Sequence, residues 1–253
     1  MYLWKYWRET RITFGIGILV LAVLTAFSFK GRTVGPSDPH AYSTLASVLF
    51  FVTAALSGLF AWAIGSFGAG RSLGEGAGSY LLTRPKPRSW FTWRDWGFGL
   101  ALIAAIVLLS NLLTSSIMYR VMKHNGIPLN GVLFRNNPEP VSLIHLLSLN
   151  SVSIFLCCGL IFGIVYLMTI LTKNALGIVV GAGVVAGYVI LSAVIQHYWP
   201  GIELPNLLLR PYTYTGQEVS GLADNLGLAM VIRAAILLLF PITAKLVLER
   251  SDI

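Results

Sequence analysis

Residues Ser151–Ile195 read SVSIFLCCGLIFGIVYLMTILTKNALGIVVGAGVVAGYVILSAVI, with Lys173 the one charged residue in the whole stretch. About 20 apolar residues cross about 30 Å of hydrocarbon, so this stretch is long enough to cross twice. The two runs, Ser151–Leu171 and Ala175–Ile195, are separated only by Thr172–Asn174. Hydrocarbon offers no partner for backbone N–H and C=O groups, which leaves the helix as the conformation that satisfies them within each run. A tight antiparallel pair of transmembrane helices is therefore expected.

Working outward, four further runs of the same kind lie at Ile12–Phe29, Ser43–Phe67, Gly97–Tyr119 and Leu226–Leu248. The reading is an all-α integral membrane protein of six transmembrane helices, a single transmembrane domain over residues 1–253. Composition agrees: 56% of the chain is hydrophobic and 11% charged, against about 25% charged in a soluble domain. With mean hydropathy +0.75, a cytosolic enzyme, a secreted disulfide scaffold and a disordered chain are set aside. The first run resembles a signal peptide in having Lys5, Arg8 and Arg11 before an apolar core. Phe27, Phe29 and Lys30 occupy the place where small cleavage-site residues would stand, so it is read as a span. Cys157 and Cys158, adjacent in an apolar run, cannot build a disulfide framework and read as small core residues.

The net charge of +8 is scattered between apolar runs, which points to topology and not to nucleic acid. Short cytoplasmic segments keep the excess of Lys and Arg. With the N-terminus inside, the inner segments hold eleven basic residues and the outer ones six, with Arg233 inside the last span. Both termini are thus expected in the cytoplasm, and the location is a cell membrane, of the bacterial inner or plasma type. Residues 1–11, with Tyr2, Trp4, Tyr6 and Trp7 among Lys5, Arg8 and Arg11, form an amphipathic N-terminal segment. Residues 70–96 are a cytoplasmic excursion rich in Gly and Arg. Residues 196–225, with Pro200, Pro205 and Pro211, form an external element suited to the headgroup region or to re-entry. A short interfacial helix is expected over Val141–Asn150.

Chemistry within the chain is not expected. His40, His124, His145 and His197 are dispersed, with no His-Glu-x-x-His pair for zinc. No acid falls within the six runs, Ser57-Gly58 lacks the context of an intramembrane serine protease, and the Pro-Ser-Gly-His stretch of lipid-phosphate phosphatases is missing. No Gly-Lys dipeptide exists to build a phosphate loop. Any energised work needs hydrolysis on another polypeptide.

Three features inside the runs carry alternatives. Gly177 with Gly181, and Gly183 with Gly187, make two smooth faces on the fifth run, and Gly159 with Gly163 one on the fourth. Such faces allow close helix approach, either inside one bundle or against a second protomer. Ser110, Asn111, Thr114 and Ser115 form a polar stripe on the third run, with Asn111 and Ser115 at i,i+4; interhelical hydrogen bonding and the lining of a substrate path are both open. Arg233 stands about 10 Å below the expected outer end of the last run. It is read first as snorkelling or pairing with Asp224, Glu218 or Glu203, and second as a functional site. Asn111, Ser115 and Arg233 are the candidate translocation-path residues.

The segment between the second and third runs, RSLGEGAGSYLLTRPKPRSWFTWRDW over Arg71–Trp96, resembles the signature of type-2 ABC transporter permeases. In that pattern an acid precedes Gly-Thr, an apolar pair and an Arg-Pro-x-x-Arg turn. The matching positions are Glu75, Gly78 and Ser79, Leu81 and Leu82, and Arg84 and Pro85 with Arg88; Ser79 stands where Thr is usual. Six spans, an amphipathic N-terminal segment and a Pro-rich external element extend the resemblance over the chain, where Arg210-Pro211-Tyr212-Thr213-Tyr214 is similar to the Ser-Pro-x-x-Tyr type of sequence. The resemblance implies a permease subunit of an ATP-driven exporter with a cytoplasmic coupling helix at 70–96. It implies no cofactor in this chain, with ATP and Mg on separately encoded ATP-binding-cassette subunits, and a second permease copy or sister permease as partner. Leu81 and Leu82 suit a groove on a soluble partner, with Glu75 and the arginines at its rim. The rival is a membrane scaffold or sensor subunit that docks a regulator through the same loop.

Overall fold

The structure is a computed structural model that describes residues 2–30, 41–67, 88–126, 132–134, 137–173, 176–199 and 219–250, with side chains described over part of these. Six helices account for most of them: α1 (Tyr2–Lys30), α2 (Ala41–Gly65), α3 (Arg88–His124), α4 (Leu143–Thr172), α5 (Leu176–Tyr198) and α6 (Val219–Arg250). Each carries one of the six apolar runs, four of them whole; Ser43–Phe67 passes the end of α2 by two residues and Ala175–Ile195 starts one residue before α5. Among the described residues, Trp90–His124, Leu147–Thr172, Leu176–Ile195 and Met230–Arg250 are long and apolar enough to span a membrane, and Phe51–Gly65 is a shorter apolar helical segment. The protein is a helical, membrane-embedded one.

The bundle is organised on α4, which packs against α2, α3, α5 and α6. Its centre is aromatic: Trp96 of α3 lies 4.9 Å from Phe162, 5.9 Å from Tyr166 and 6.0 Å from Phe240 of α6, and Phe162 stacks on Tyr166 at 5.7 Å. Such offset and tilted contacts are the arrangements aromatic quadrupoles favour. The helices close on these rings because glycines lie beneath them. A Cβ at Gly159 would come within 2.9 Å of the Leu237 side chain, and one at Gly163 would meet the Phe240 ring. α1 joins at one side, where Phe14 lies 5.8 Å from both Trp7 and Phe60.

The α4–α5 connection is the tight turn expected. Lys173 caps α4 in the left-handed region at φ 51°, ending the helix so that α5 returns along it. A Cβ at Gly177 would lie 2.5 Å from Thr169 Cα, and one at Gly181 3.0 Å from Val165 Cα, so the two backbones are almost in contact. The Trp62 indole N–H of α2 donates to the Ile178 carbonyl at 3.4 Å, fixing the start of α5.

One expectation is corrected here. Val141–Asn150 is not a separate interfacial helix: Val141 closes a strand, and α4 runs unbroken from Leu143 through Asn150 to Thr172. That strand, β2 (Asn137–Val141), pairs antiparallel with β1 (Val132–Phe134), with Val132 opposite Val141 and Phe134 opposite Asn137. Residues 2–11 continue into the first apolar run as one helix.

Candidate functional site

One group of buried polar residues lies around Asn150–Ser153 of α4. Asn111 of α3 is buried, and its Nδ2–H donates to Ser151 Oγ of α4 at 2.6 Å; the Ser151 hydroxyl in turn donates to the Leu147 carbonyl at 2.6 Å. Two residues further along α4, Ser153 Oγ accepts from Arg233 Nη1 of α6 at 3.1 Å. At 100° per residue Ser151 and Ser153 point to different sides of α4, so this one helix holds Asn111 on one flank and Arg233 on the other. Asn150, 2% exposed, and Cys157, 3% exposed, share the sector of Ser153.

Of the two halves of the first reading of Arg233, snorkelling and pairing with an acid, the structure bears on the first: the residue is buried. It is 0% exposed and lies roughly 21 Å along the axis from the first residue of α6, because that helix starts at Val219, earlier than the apolar run. A side chain at that depth with a serine partner on a neighbouring helix is not snorkelling; it is built into the core. The side chains of Asp224, Glu218 and Glu203 lie outside the described residues. A charge here is costly unless the fold supplies polar partners, and Ser153 is one.

The serines of α3 behave otherwise. Ser110 Oγ donates to the Val107 carbonyl at 2.8 Å and Ser115 Oγ to the Leu112 carbonyl at 2.9 Å, so both hydroxyls are satisfied on their own helix. The Ser115 hydroxyl is thus engaged on its own helix, one turn from Asn111. Asn150, Ser151 and Ser153 were missed from sequence because they sit at the head of a run read only for its apolar length. The signal was present: all three are polar within four residues, opposite a polar stripe.

At the other end of α3, Asp95 is 1% exposed and Thr92 0%, next to Trp96. An acid inside the helical bundle was not expected; the apolar run was drawn from Gly97, whereas α3 begins at Arg88. Arg94 lies 4.5 Å over the Trp90 ring and Lys123, at the opposite end, 5.8 Å from the Tyr119 ring. These cation–aromatic pairs suit the two headgroup levels.

Of the expected coupling residues, Glu75, Gly78, Ser79, Leu81, Leu82, Arg84 and Pro85 lie outside the described residues, and Arg88 is the first residue of α3. Most of the external element, residues 200–218, also lies outside them. Among the described residues no group of three or more His, Cys, Asp and Glu is placed to hold a metal ion. Comparison with protein-family models, curated proteins and solved structures gives no match.

Proposed function

We propose that the chain is the permease subunit of an ATP-driven exporter of the type-2 ABC kind, with six spans, cytoplasmic termini and hydrolysis carried out by separate ATP-binding-cassette chains that hold ATP and Mg. The observation that carries this reading is the Glu75–Arg88 sequence between α2 and α3. A loop that merely meets anionic headgroups needs basic residues, but it has no use for a spaced Glu, a Gly-Ser pair and two leucines. The absence of a phosphate loop in the sequence fits a division of labour between chains. A bundle centred on one buried helix, with polar residues of three helices facing inward at one end, is the sort of interior a translocation path requires. Two copies, or this chain with a sister permease, complete the path.

The test is copurification in mild detergent, with identification of any ATP-binding-cassette chain retained. Leu81→Asp together with Leu82→Asp puts unpaired charge into the proposed contact, and should abolish retention of the ATPase and its stimulation. Membrane levels should be unchanged, since neither residue lies in an apolar run. Retention of the partner with full hydrolysis would sink the coupling assignment and leave a scaffold or lipid-binding role for this loop.

A further inference from the structure

Helix α6 carries Pro241 in its interior, two turns beyond Arg233. The proline is buried, within about 80° around the helix of the buried residues Arg233, Leu237 and Ala244. Proline has no N–H, so the Leu237 carbonyl lacks the donor that position 241 would otherwise supply, and the ring crowds that carbonyl. A second weak rung lies beside it. The exposed Thr243 hydroxyl donates to the Leu239 carbonyl at 3.0 Å, a back-bond of the kind that bends helices. The surface of α4 under this part of α6 is smooth. A Cβ at Gly163 would meet the Phe240 ring, and one at Gly159 the Leu237 side chain, so α4 has no side chain at either place to interlock with α6 and hold it in register.

The two arms of α6 on either side of Pro241 are held differently. Beyond it, Ala244 and Leu248 make buried apolar contacts. Before it, the arm Met230–Leu237 carries Arg233, 0% exposed and hydrogen-bonded to Ser153 Oγ at 3.1 Å. A permanent charge inside a membrane bundle is costly even where polar partners meet it. That cost falls if the guanidinium reaches headgroup level, toward the start of the apolar run at Leu226, about 10 Å away along the axis. Burial of the charge thus brings a second position of this arm closer in free energy, and Pro241 gives the arm a place to bend. We propose that α6 is a two-position element hinged at Pro241, whose Arg233 arm swings off α4 and carries the guanidinium from the bundle interior toward headgroup level. The conformation described above is the closed one. Val231 stands ten residues from Pro241, about 15 Å along the axis, so a bend of about 20° displaces it by about 5 Å. The hinge needs no ATPase and does not rest on the transport reading.

Pulsed electron spin resonance distances on the full chain in phosphatidylcholine nanodiscs, with Cys157→Ala and Cys158→Ala to remove the native thiols, test this. One pair of labels, at Val231→Cys on α6 and Val152→Cys on α4, reports the Arg233 arm; the other, at Leu246→Cys on α6 and Leu171→Cys on α4, reports the arm beyond the proline. All four positions are exposed. The first pair should show a second population about 5 Å longer than the main one, and the second pair a single distance. Pro241→Ala, which restores the missing rung, and Arg233→Met, which removes the buried charge, should each cut the longer population by about threefold or more. Thr243→Val, which removes the back-bond, should cut it by about twofold. A single short distance for the first pair, equal spreading of the two pairs, or a longer population that survives both Pro241→Ala and Arg233→Met overturns the hinge. If either of those variants does not purify as folded, monodisperse protein, Thr243→Val at its exposed position decides: a halved longer population supports the hinge and an unchanged one overturns it.

Discussion

Helices α4 and α5 are consecutive, joined by one tight turn, and nearly indistinguishable in apolar content, yet 67% of the membrane window of α4 is buried inside the bundle against 11% for α5. The first is a hub touched from four sides; the second rests on α4 along one face and touches α2 near its start. Val179, Val189, Ile190, Leu191 and Tyr198 of α5 are all more than half exposed. Lipid tails are as apolar as leucine, so hydropathy selects residues that avoid water without saying whether they meet protein or lipid. What separates the helices is the fit of small against large residues. On α4, Gly159 and Gly163 lie under Leu237 and Phe240; on α5, Gly177 and Gly181 lie against the α4 backbone while Gly183 and Gly187 meet nothing within 4 Å among the described residues. One of the two smooth faces of α5 is thus used within the bundle and the other is turned outward.

The sharpest break in that comparison should come from large-to-small changes. Phe162 is fully buried and touches Trp96 and Tyr166, so Phe162→Ala should cost about 3 kcal/mol or more through the cavity it leaves. Ile190→Ala on α5, at a side chain 64% exposed, should cost under about 0.5 kcal/mol, as surface changes do. Thermal or denaturant unfolding in detergent micelles measures both. Equal losses would mean that α5 is buried in the native assembly.

The reverse change probes the glycines. Gly177→Val sets side-chain atoms against the Thr169 backbone, which cannot turn aside as a side chain can. The expected loss is about 1–3 kcal/mol, with reduced yield of folded protein. Gly183→Val enters open space and should leave unfolding unchanged. If Gly183→Val also destabilises, and does so only at protein concentrations where dimers form, the outward face meets a second copy.

The six helices were legible because a membrane imposes length and apolarity together, and those are properties of a run of residues. The hairpin at 132–141 was not. Asn137-Pro138-Glu139-Pro140 offers two residues without a backbone donor, which argues against a strand, and β2 is tolerated as half of a pair that has no third strand among the described residues. The start of α3 was missed for a different reason: Trp90–Asp95 carries charge and so falls out of an apolar scan, although Thr92, Asp95 and Trp96 are buried by tertiary contacts. Arg233 could be singled out from its position alone, but its partner could not. Ser153 is 80 residues away, and its role depends on how α4 and α6 face each other, which no local pattern encodes.

The smallest expected effect lies on the other flank of α4 and asks whether polar contacts or packing hold the hub. The Asn111–Ser151 bond is short, at 2.6 Å, and joins α3 to α4. In water its net contribution would be small because the unfolded groups bond to solvent; in a bilayer the separated helices also find other partners, and such bonds average about 0.6 kcal/mol. Asn111→Ala alone should cost somewhat more than that, since it also opens a small cavity, though it removes the buried Asn111 amide oxygen that has no partner among the described residues. Ser151→Ala leaves the Asn111 amide nitrogen unmatched, so its cost should exceed the bond's net worth and reach about 1–2 kcal/mol. The double variant separates these contributions, because with both partners gone no donor is stranded. A coupling energy of about 0.5–1 kcal/mol from the cycle is expected. A value near zero would show that α3 and α4 are held by the Trp96–Phe162–Tyr166 rings alone, and that Asn111 is free to serve another partner within the bundle.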